Sequence, residues 1–202
     1  MSSQPAEVPI PVERPTLEAR VATVGAYLLS AGTVFFFVAF LFAFFYLRAL
    51  NSNDMWAGPS GKHVSVPTAS GIVILVCVLL SVVLVRLALT DLRGSRRGSW
   101  YPLGLAALLL GLAAVAVQCW QYTDLAFGTE EGGYASVYLG WTGTFTLFAF
   151  GAMIWLEILL ATARRTSSPP VTEESSVASF SIFWTTLGVV QVFAFILLFG
   201  VK

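Results

Sequence analysis

Two charged residues stand inside apolar stretches of the sequence, where they could bind a charged partner or take part in chemistry. Arg86 follows Leu84-Val85, and Glu157 lies within the apolar run 153–160. Charge in a hydrocarbon layer is costly and often marks a functional site. Arginine reaches the headgroups along its aliphatic stem, whereas the shorter glutamate does so less well. We expect Glu157 to pair with Arg86 or with an arginine of a partner subunit; the alternative is a glutamate facing water at a protein-lined rim.

Metal and redox chemistry have few candidate ligands. Cys77 and Cys119 lie in apolar stretches, where a small thiol usually fills space, and the single histidine, His63, lies in a connecting segment beside Lys62. A haem or copper site in a helix bundle uses inward-facing His or Cys, and a metal or redox pair needs several such ligands together. We therefore expect this chain to hold no catalytic residue, metal or cofactor, so that any redox chemistry belongs to a partner.

The composition is that of an integral membrane protein. Of 202 residues, 57% are hydrophobic and 11% charged, and the mean hydropathy is +0.81. The 11 basic residues equal the 11 acidic ones, which leaves no basic excess for binding nucleic acid. Five stretches lack any charge, and each exceeds the roughly 20 residues that a membrane-crossing helix needs. They are residues 21–47, 64–85, 98–123, 132–156 and 175–201.

These stretches predict an all-α fold, a polytopic bundle of five transmembrane helices. Runs such as 34–42 are apolar on every side, and in lipid such a run satisfies its backbone only as a helix, whereas a β-barrel needs alternating strands. The predicted helices are approximately 21–49, 66–92, 99–124, 134–164 and 176–201. Small residues in the third and fourth predict close helix packing: Gly104, Gly111, Gly140, Gly143 and Gly151.

Basic residues are sorted along the chain. Eight fall where the alternation of helices puts them on one side: Arg14, Arg20, Arg86, Arg93, Arg96, Arg97, Arg164 and Arg165. The other side has Arg48, Lys62 and Lys202, together with the acidic connection Asp124, Glu130 and Glu131. The positive-inside rule then predicts a cytoplasmic N-terminus and a C-terminus outside, in the cell membrane. Residues 1–20 are proline-rich without an apolar core, so we expect a flexible cytoplasmic tail rather than a signal peptide, followed by a membrane domain over 21–202.

Several segments resemble subunit III of the haem-copper cytochrome c oxidases in its five-helix bacterial form. The resemblance is carried by 42–48 (Phe-Ala-Phe-Phe-Tyr-Leu-Arg) with Trp56, Pro59 and Pro67, by 87–94, by Gln118, Tyr122, Asp124 and Phe127, by 131–138 (Glu-Gly-Gly-Tyr-Ala-Ser-Val-Tyr) with Thr142-Gly143, and by Phe183-Trp184 with Val189-Val190. It covers all five helices and is most specific around the connection between the third and fourth.

The chain departs from that family at its polar core positions. The family's helix 1 Ser-Glu is Gly32-Thr33 here, its helix 2 His is Arg86, its helix 4 Phe-His-Gly-Leu-His is 144–148 (Thr-Phe-Thr-Leu-Phe), and its helix 5 His and Asp are Thr185 and Gly188. Site roles at these positions therefore do not carry over. The resemblance still implies the family's bundle of five transmembrane helices.

The resemblance implies a non-catalytic subunit that packs on the catalytic subunit I beside subunit II, whose haem and copper do the chemistry. It also implies phospholipid in a cleft between helices 1–2 and helices 3–5, and support for assembly, stability and sustained proton-coupled oxygen reduction. We expect Arg86, Arg93, Arg96, Arg97 and Glu157 to make lipid-headgroup or interhelical contacts, the alternative for the arginines being that they only set topology.

Other functions stay open. One is a subunit III-like partner of a nitric oxide reductase or of another respiratory complex, such as a larger supercomplex. The other is a small membrane transporter, although transporters tend to show inverted repeats and broken helices, which this sequence lacks.

Overall fold

The computed structural model describes residues 15–51, 56, 66–94, 100–165 and 170–200. They form five α-helices: α1 (Pro15–Ala49), α2 (Thr68–Arg93), α3 (Trp100–Thr123), α4 (Gly133–Arg165) and α5 (Pro170–Phe195), which continues as a π-helical turn over Ile196–Gly200. No strand occurs in these ranges. All five helices are long and apolar enough to cross a membrane. The predicted all-helical fold with five membrane-spanning helices is confirmed.

Two helices begin earlier than predicted. α1 starts at Pro15 rather than near residue 21, and α5 starts at Pro170 rather than near residue 176. Proline suits the first helical position because the N–H it lacks would have no partner there. Glu173 lies in the first turn of α5, where a negative charge complements the helix dipole. The sequence prediction took helix ends from charge-free windows and so omitted these polar turns; of the predicted tail, residues 1–14 lie outside the described part of the chain.

α5 lies at the centre of the helix packing. It contacts α1, α2 and α4, while α2 also packs on α3, α3 on α4, and α4 on α1. Half of its most apolar window is buried, the largest share among the five spans, and α1 has the smallest at 22%. α5 therefore packs against both α1 and α2, and α2 packs on α3; phospholipid between helices 1–2 and helices 3–5 stays a prediction.

One buried serine joins three helices. Ser81 on α2 donates a hydrogen bond from Oγ to the Ala107 carbonyl of α3 at 2.8 Å and accepts one from the Trp184 indole Nε1 of α5 at 3.1 Å. All three residues are fully buried. Since a buried polar group without a partner is costly, each of these groups needs the other helices in place.

Two glycines of α3 receive large side chains of α4. A Cβ on Gly104 would lie 2.9 Å from Leu160 Cδ2, and a Cβ on Gly111 would overlap the Met153 sulfur. These glycines allow α3 and α4 to approach closely, as predicted. Gly140 likewise receives Phe40 of α1, whereas Gly151 faces open space and has no such role.

Ser81→Ala should lower the free energy of unfolding by about 1–2 kcal/mol, because it leaves the Trp184 indole buried without an acceptor. SDS-titrated unfolding of the purified full-length chain in mixed micelles measures the change. Trp184→Phe and the double variant complete a cycle, in which the two losses should be less than additive. Thr90→Ala is the control on the same helix, since Thr90 is exposed and bonds only within α2; equal losses at Ser81 and Thr90 would contradict a central role for Ser81.

Gly111→Ala should destabilise the protein by about 1–3 kcal/mol, because the added methyl collides with fully buried Met153. Gly151→Ala is the matched control, since nothing lies within 4 Å of its new methyl. There, alanine's higher helix propensity should leave stability unchanged or raise it by up to about 1 kcal/mol. The same unfolding assay compares the two variants, and similar effects would show that the α3–α4 seam tolerates a wider residue.

Candidate functional site

Arg86 lies on the exposed face of α2 and contacts α5. Its Nε donates a hydrogen bond to Thr185 Oγ1 at 3.2 Å. Both residues stand at positions where the chain departs from the oxidase family pattern, and the structure brings these two departures together. The neighbouring departure, Gly188, also faces α2, because a Cβ there would lie 3.0 Å from Val82 Cγ2. The α2–α5 interface therefore carries several of the replaced positions at once.

Glu157 is exposed on α4 and lies in a different part of the bundle from Arg86. It lines a cavity of about 340 Å³ between α3 and α4, together with Tyr101, Leu105, Leu108, Leu160, Ala161 and Arg164. The Arg164 guanidinium carbon lies 4.7 Å from the centre of the Tyr101 ring, a cation–π contact. The structure thus does not bring Glu157 and Arg86 together, because Arg86 points to α5. Pairing of Glu157 with a partner subunit remains a prediction.

Arg93 bonds to α5 as well. Its Nε lies 2.9 Å from Glu174 Oε1, and the two side chains are 55% and 43% exposed. An ion pair this exposed contributes at most about 1 kcal/mol to stability. Beside it, Arg20 of α1 completes the charged lining of a cavity of about 510 Å³, whose other walls are mostly apolar. Of the five predicted site residues, Arg96 and Arg97 lie outside the described part of the chain.

Three arginines and a glutamate lie at one end of the helices. Arg20 is near the start of α1, Arg93 ends α2, Arg164 is near the end of α4, and Glu174 is in the first turns of α5. Cavities that join α1, α2 and α5, and α3, α4 and α5, show that these helix ends meet. The sorting of arginine seen in the sequence is therefore a feature of the folded bundle, among the residues that the structure describes.

The residues that resemble the family's connection between helices 3 and 4 meet at the opposite end. Tyr122 of α3 donates a hydrogen bond from its hydroxyl to Thr142 Oγ1 of α4 at 2.9 Å. Tyr134 of α4 donates to the Leu198 carbonyl at 2.6 Å, which satisfies a carbonyl in the last turn of α5. The rings of Phe127 and Tyr138 are 6.0 Å apart, edge to face.

Trp56 and glycine backbone geometry complete this end. The Trp56 ring lies 5.0 Å from the ring of Phe44 and 5.8 Å from that of Tyr134, and its carbonyl accepts the Tyr134 backbone N–H at 3.2 Å. Gly132 has φ 127°, a conformation that favours glycine, and it turns the chain into α4. We name the set Trp56, Tyr122, Phe127, Tyr134, Tyr138 and Thr142 the aromatic end cluster.

The residues described do not fit a haem or copper centre. Within the described ranges, no group of three or more His, Cys, Asp or Glu lies close enough to hold a metal ion. Cys77 is half-buried and Cys119 is exposed, and both are free thiols, so the expectation that both fill buried space is wrong for Cys119. His63 lies outside the described residues.

Sequence reasoning missed the partners of the arginines. Thr185 was noted only as a residue that replaces a histidine of the family pattern. Glu174 was placed in the connection before the fifth helix rather than in the helix itself. Ser81 carried a usable signal, because it is the one hydroxyl between Gly71 and Leu89 in a strongly apolar helix, and a polar group there needs an interhelical partner.

No protein-family model matches this chain, and no curated protein sequence matches it. The fold therefore defines its class, which is that of a multi-pass helical membrane protein.

Tyr134→Phe should loosen the C-terminal turn, because the Leu198 carbonyl loses its donor. We expect a loss of about 1 kcal/mol in unfolding free energy, together with faster amide hydrogen exchange over residues 196–200. Exchange measured by mass spectrometry on the detergent-solubilised chain reports the local effect. Tyr46→Phe is the control, because Tyr46 is half-exposed on α1. Unchanged exchange at 196–200 in Tyr134→Phe would mean that this hydrogen bond does not hold the turn.

Proposed function

We propose that the chain is a non-catalytic, subunit III-like component of a respiratory haem-copper cytochrome c oxidase. In this role it packs on subunit I, beside subunit II, and supports assembly, stability and sustained proton-coupled oxygen reduction. The observation that carries the proposal is the aromatic end cluster. The residues that resemble the family's connection between helices 3 and 4 form one set of contacts between α3, α4 and the end of α5. The residues whose spacing in the sequence resembles the family are thus also in contact with one another in the folded chain.

A scaffolding role agrees with the interior of the bundle. Apart from tyrosine hydroxyls, the buried polar side chains among the described residues are uncharged hydroxyls and amides: Ser30, Thr33, Ser81, Gln118, Gln121, Thr142, Ser179, Ser181 and Gln191. A relay through the interior would need titratable groups such as Asp, Glu or His in sequence. Support for proton uptake would then act through the shape of the interface with subunit I. The haem and copper chemistry belongs to the partner.

The partner would meet one of the apolar outer faces. α1 is the least enclosed span, and its outward side chains are large and apolar: Leu28, Phe35, Phe42 and Phe45 are each about half exposed or more. α2 presents a second such face with Ile72, Val76, Leu80 and Val83. Between helices in lipid, close van der Waals packing rather than a hydrophobic driving force holds such faces together.

Phospholipid would bind at the arginine-rich end. The cavity lined by Arg20 and Arg93 has apolar walls from Val24, Tyr27 and Ala178, which suits a headgroup phosphate above the start of an acyl chain. Each arginine near an anionic membrane surface contributes roughly 1 kcal/mol. By the positive-inside rule this end faces the cytoplasm, with the N-terminus inside, the C-terminus outside and the protein in the cell membrane.

Purification of the tagged full-length chain from native membranes in mild detergent tests the proposal. We expect the purified material to show haem a absorbance. We also expect the other subunits of an oxidase complex to co-purify with the tagged chain. Gly111→Leu, which should disrupt the α3–α4 seam, should reduce the haem a recovered per tagged chain at least tenfold, while Gly151→Ala should leave it unchanged. Deletion of the chain should shorten the turnover lifetime of the oxidase.

Other outcomes would overturn the oxidase assignment. A co-purifying complex with haem b and nitric oxide reductase activity would favour the partner of a nitric oxide reductase. A colourless lone chain that transports a solute in liposomes would favour a transporter. Unchanged assembly, thermal stability and turnover lifetime of the oxidase after deletion would exclude the supporting role.

A further inference from the structure

Glu157 places a carboxylate on the lipid-facing side of the bundle, inside a membrane span. It lies within the span Gly133–Arg164 and is exposed, between Leu156 and Ile158. Eight residues separate it from the end of α4 at Arg165, which is roughly 12 Å along the helix axis. Glutamate has a shorter stem than lysine or arginine and reaches the headgroups less well, and a charge in an apolar span is costly without a partner.

The Glu157 carboxylate has no partner among the described residues, since it makes no hydrogen bond and no ion pair there. The nearest cation around the cavity is Arg164, whose guanidinium lies over the Tyr101 ring instead. Arg86 is bonded to Thr185 on α5. The described residues thus leave the Glu157 carboxylate open to a cation from outside them.

The surroundings of Glu157 form a groove rather than a flat face. α3 and α4 approach closely at Gly104, and the groove beside them is lined by Leu105, Leu108, Leu160 and Ala161. Its volume of about 340 Å³ corresponds to roughly eleven water molecules at liquid density. That space accepts the end of a long side chain, and Ala161 leaves room for a neighbouring backbone.

The order of the charged residues along the groove distinguishes a phospholipid from a transmembrane helix as the bound partner. Arg164 and Tyr101 lie at the helix ends, and Glu157 lies about two turns deeper. A phospholipid would set its phosphate beside Arg164 but would bring acyl chain to Glu157, which leaves the carboxylate without a counterion. A transmembrane helix with a lysine or arginine one to two turns inside its own end matches the groove at both depths.

We propose that the groove of α3 and α4 around Glu157 binds a transmembrane helix of a partner subunit, and that a lysine or arginine of this helix forms an ion pair with the Glu157 carboxylate. This inference rests on the proposed function only in requiring a partner subunit in the membrane. In a low-dielectric setting such a pair is strong enough to fix partner and depth, since removal of one member leaves the other charge unpaired.

A photo-crosslinking amino acid at Ala161 tests the contact in the full-length chain, expressed and irradiated in native membranes. Mass spectrometry should find the crosslink on a transmembrane segment within one helical turn of a lysine or arginine. Glu157→Gln should lower the crosslink yield at least tenfold. Glu173→Gln, at the start of α5 and lining a different cavity, is the matched control and should leave the yield unchanged.

Loss of fold is separated from loss of the ion pair by a charge exchange. Glu157→Arg should abolish the crosslink, and a glutamate in place of the partner's cationic residue should restore it. Crosslinks to lipid alone, to a segment without lysine or arginine, or with equal yield in Glu157→Gln would overturn the proposal.

The two proposals fail separately. A crosslink to a cationic transmembrane segment without haem a in the complex would sustain the groove and refute the oxidase assignment. Haem a in the purified complex with no such crosslink would sustain the oxidase assignment and refute the groove proposal.

Discussion

The hydrogen bonds of Ser81 to the Ala107 carbonyl and the Trp184 indole hold the bundle at its centre. In lipid the hydrophobic effect does not distinguish one helix face from another, so polar groups and close packing decide which faces meet. Ser81 settles this for α2, α3 and α5 together, because its hydroxyl serves as donor to one helix and acceptor from another. α5, which makes this contact with α2, also packs on α1 and α4.

Each end of α5 then has its own partner. Near its start Glu174 meets Arg93, and near its end the Leu198 carbonyl meets the Tyr134 hydroxyl. The two ends differ in chemistry: one collects exposed charges that water and headgroups can solvate, and the other collects aromatic rings and neutral hydroxyls. A helix held at three points along its length has little freedom to slide, which is a property that the proposed scaffolding role requires.

The number and type of elements could be predicted from sequence, because a charge-free run longer than 20 residues has few alternatives in a chain this apolar. Gly104 and Gly111 were also identified, since small residues in such helices usually meet a neighbour. The central place of α5 and the Trp184–Ser81 contact could not be predicted. A helix that is apolar on all sides gives no periodic signal of which face is inward. Glu174 was missed as the partner of Arg93 for a simpler reason: the prediction began the fifth helix only after the last charged residue that precedes it, which is Glu174 itself.

The two glycines of α3 also determine where a charge of α4 lies along α3. Gly104 receives Leu160 and Gly111 receives Met153, so both partners are spaced by one heptad along antiparallel helices. Because the two side chains differ in shape and each glycine accepts one of them, a slip of one heptad would leave one side chain without a glycine opposite it. Glu157 stands between Met153 and Leu160, and this register therefore fixes its position along α3. The place of the carboxylate beside α3 is thus set by steric fit between neutral residues, independently of any charge that it meets.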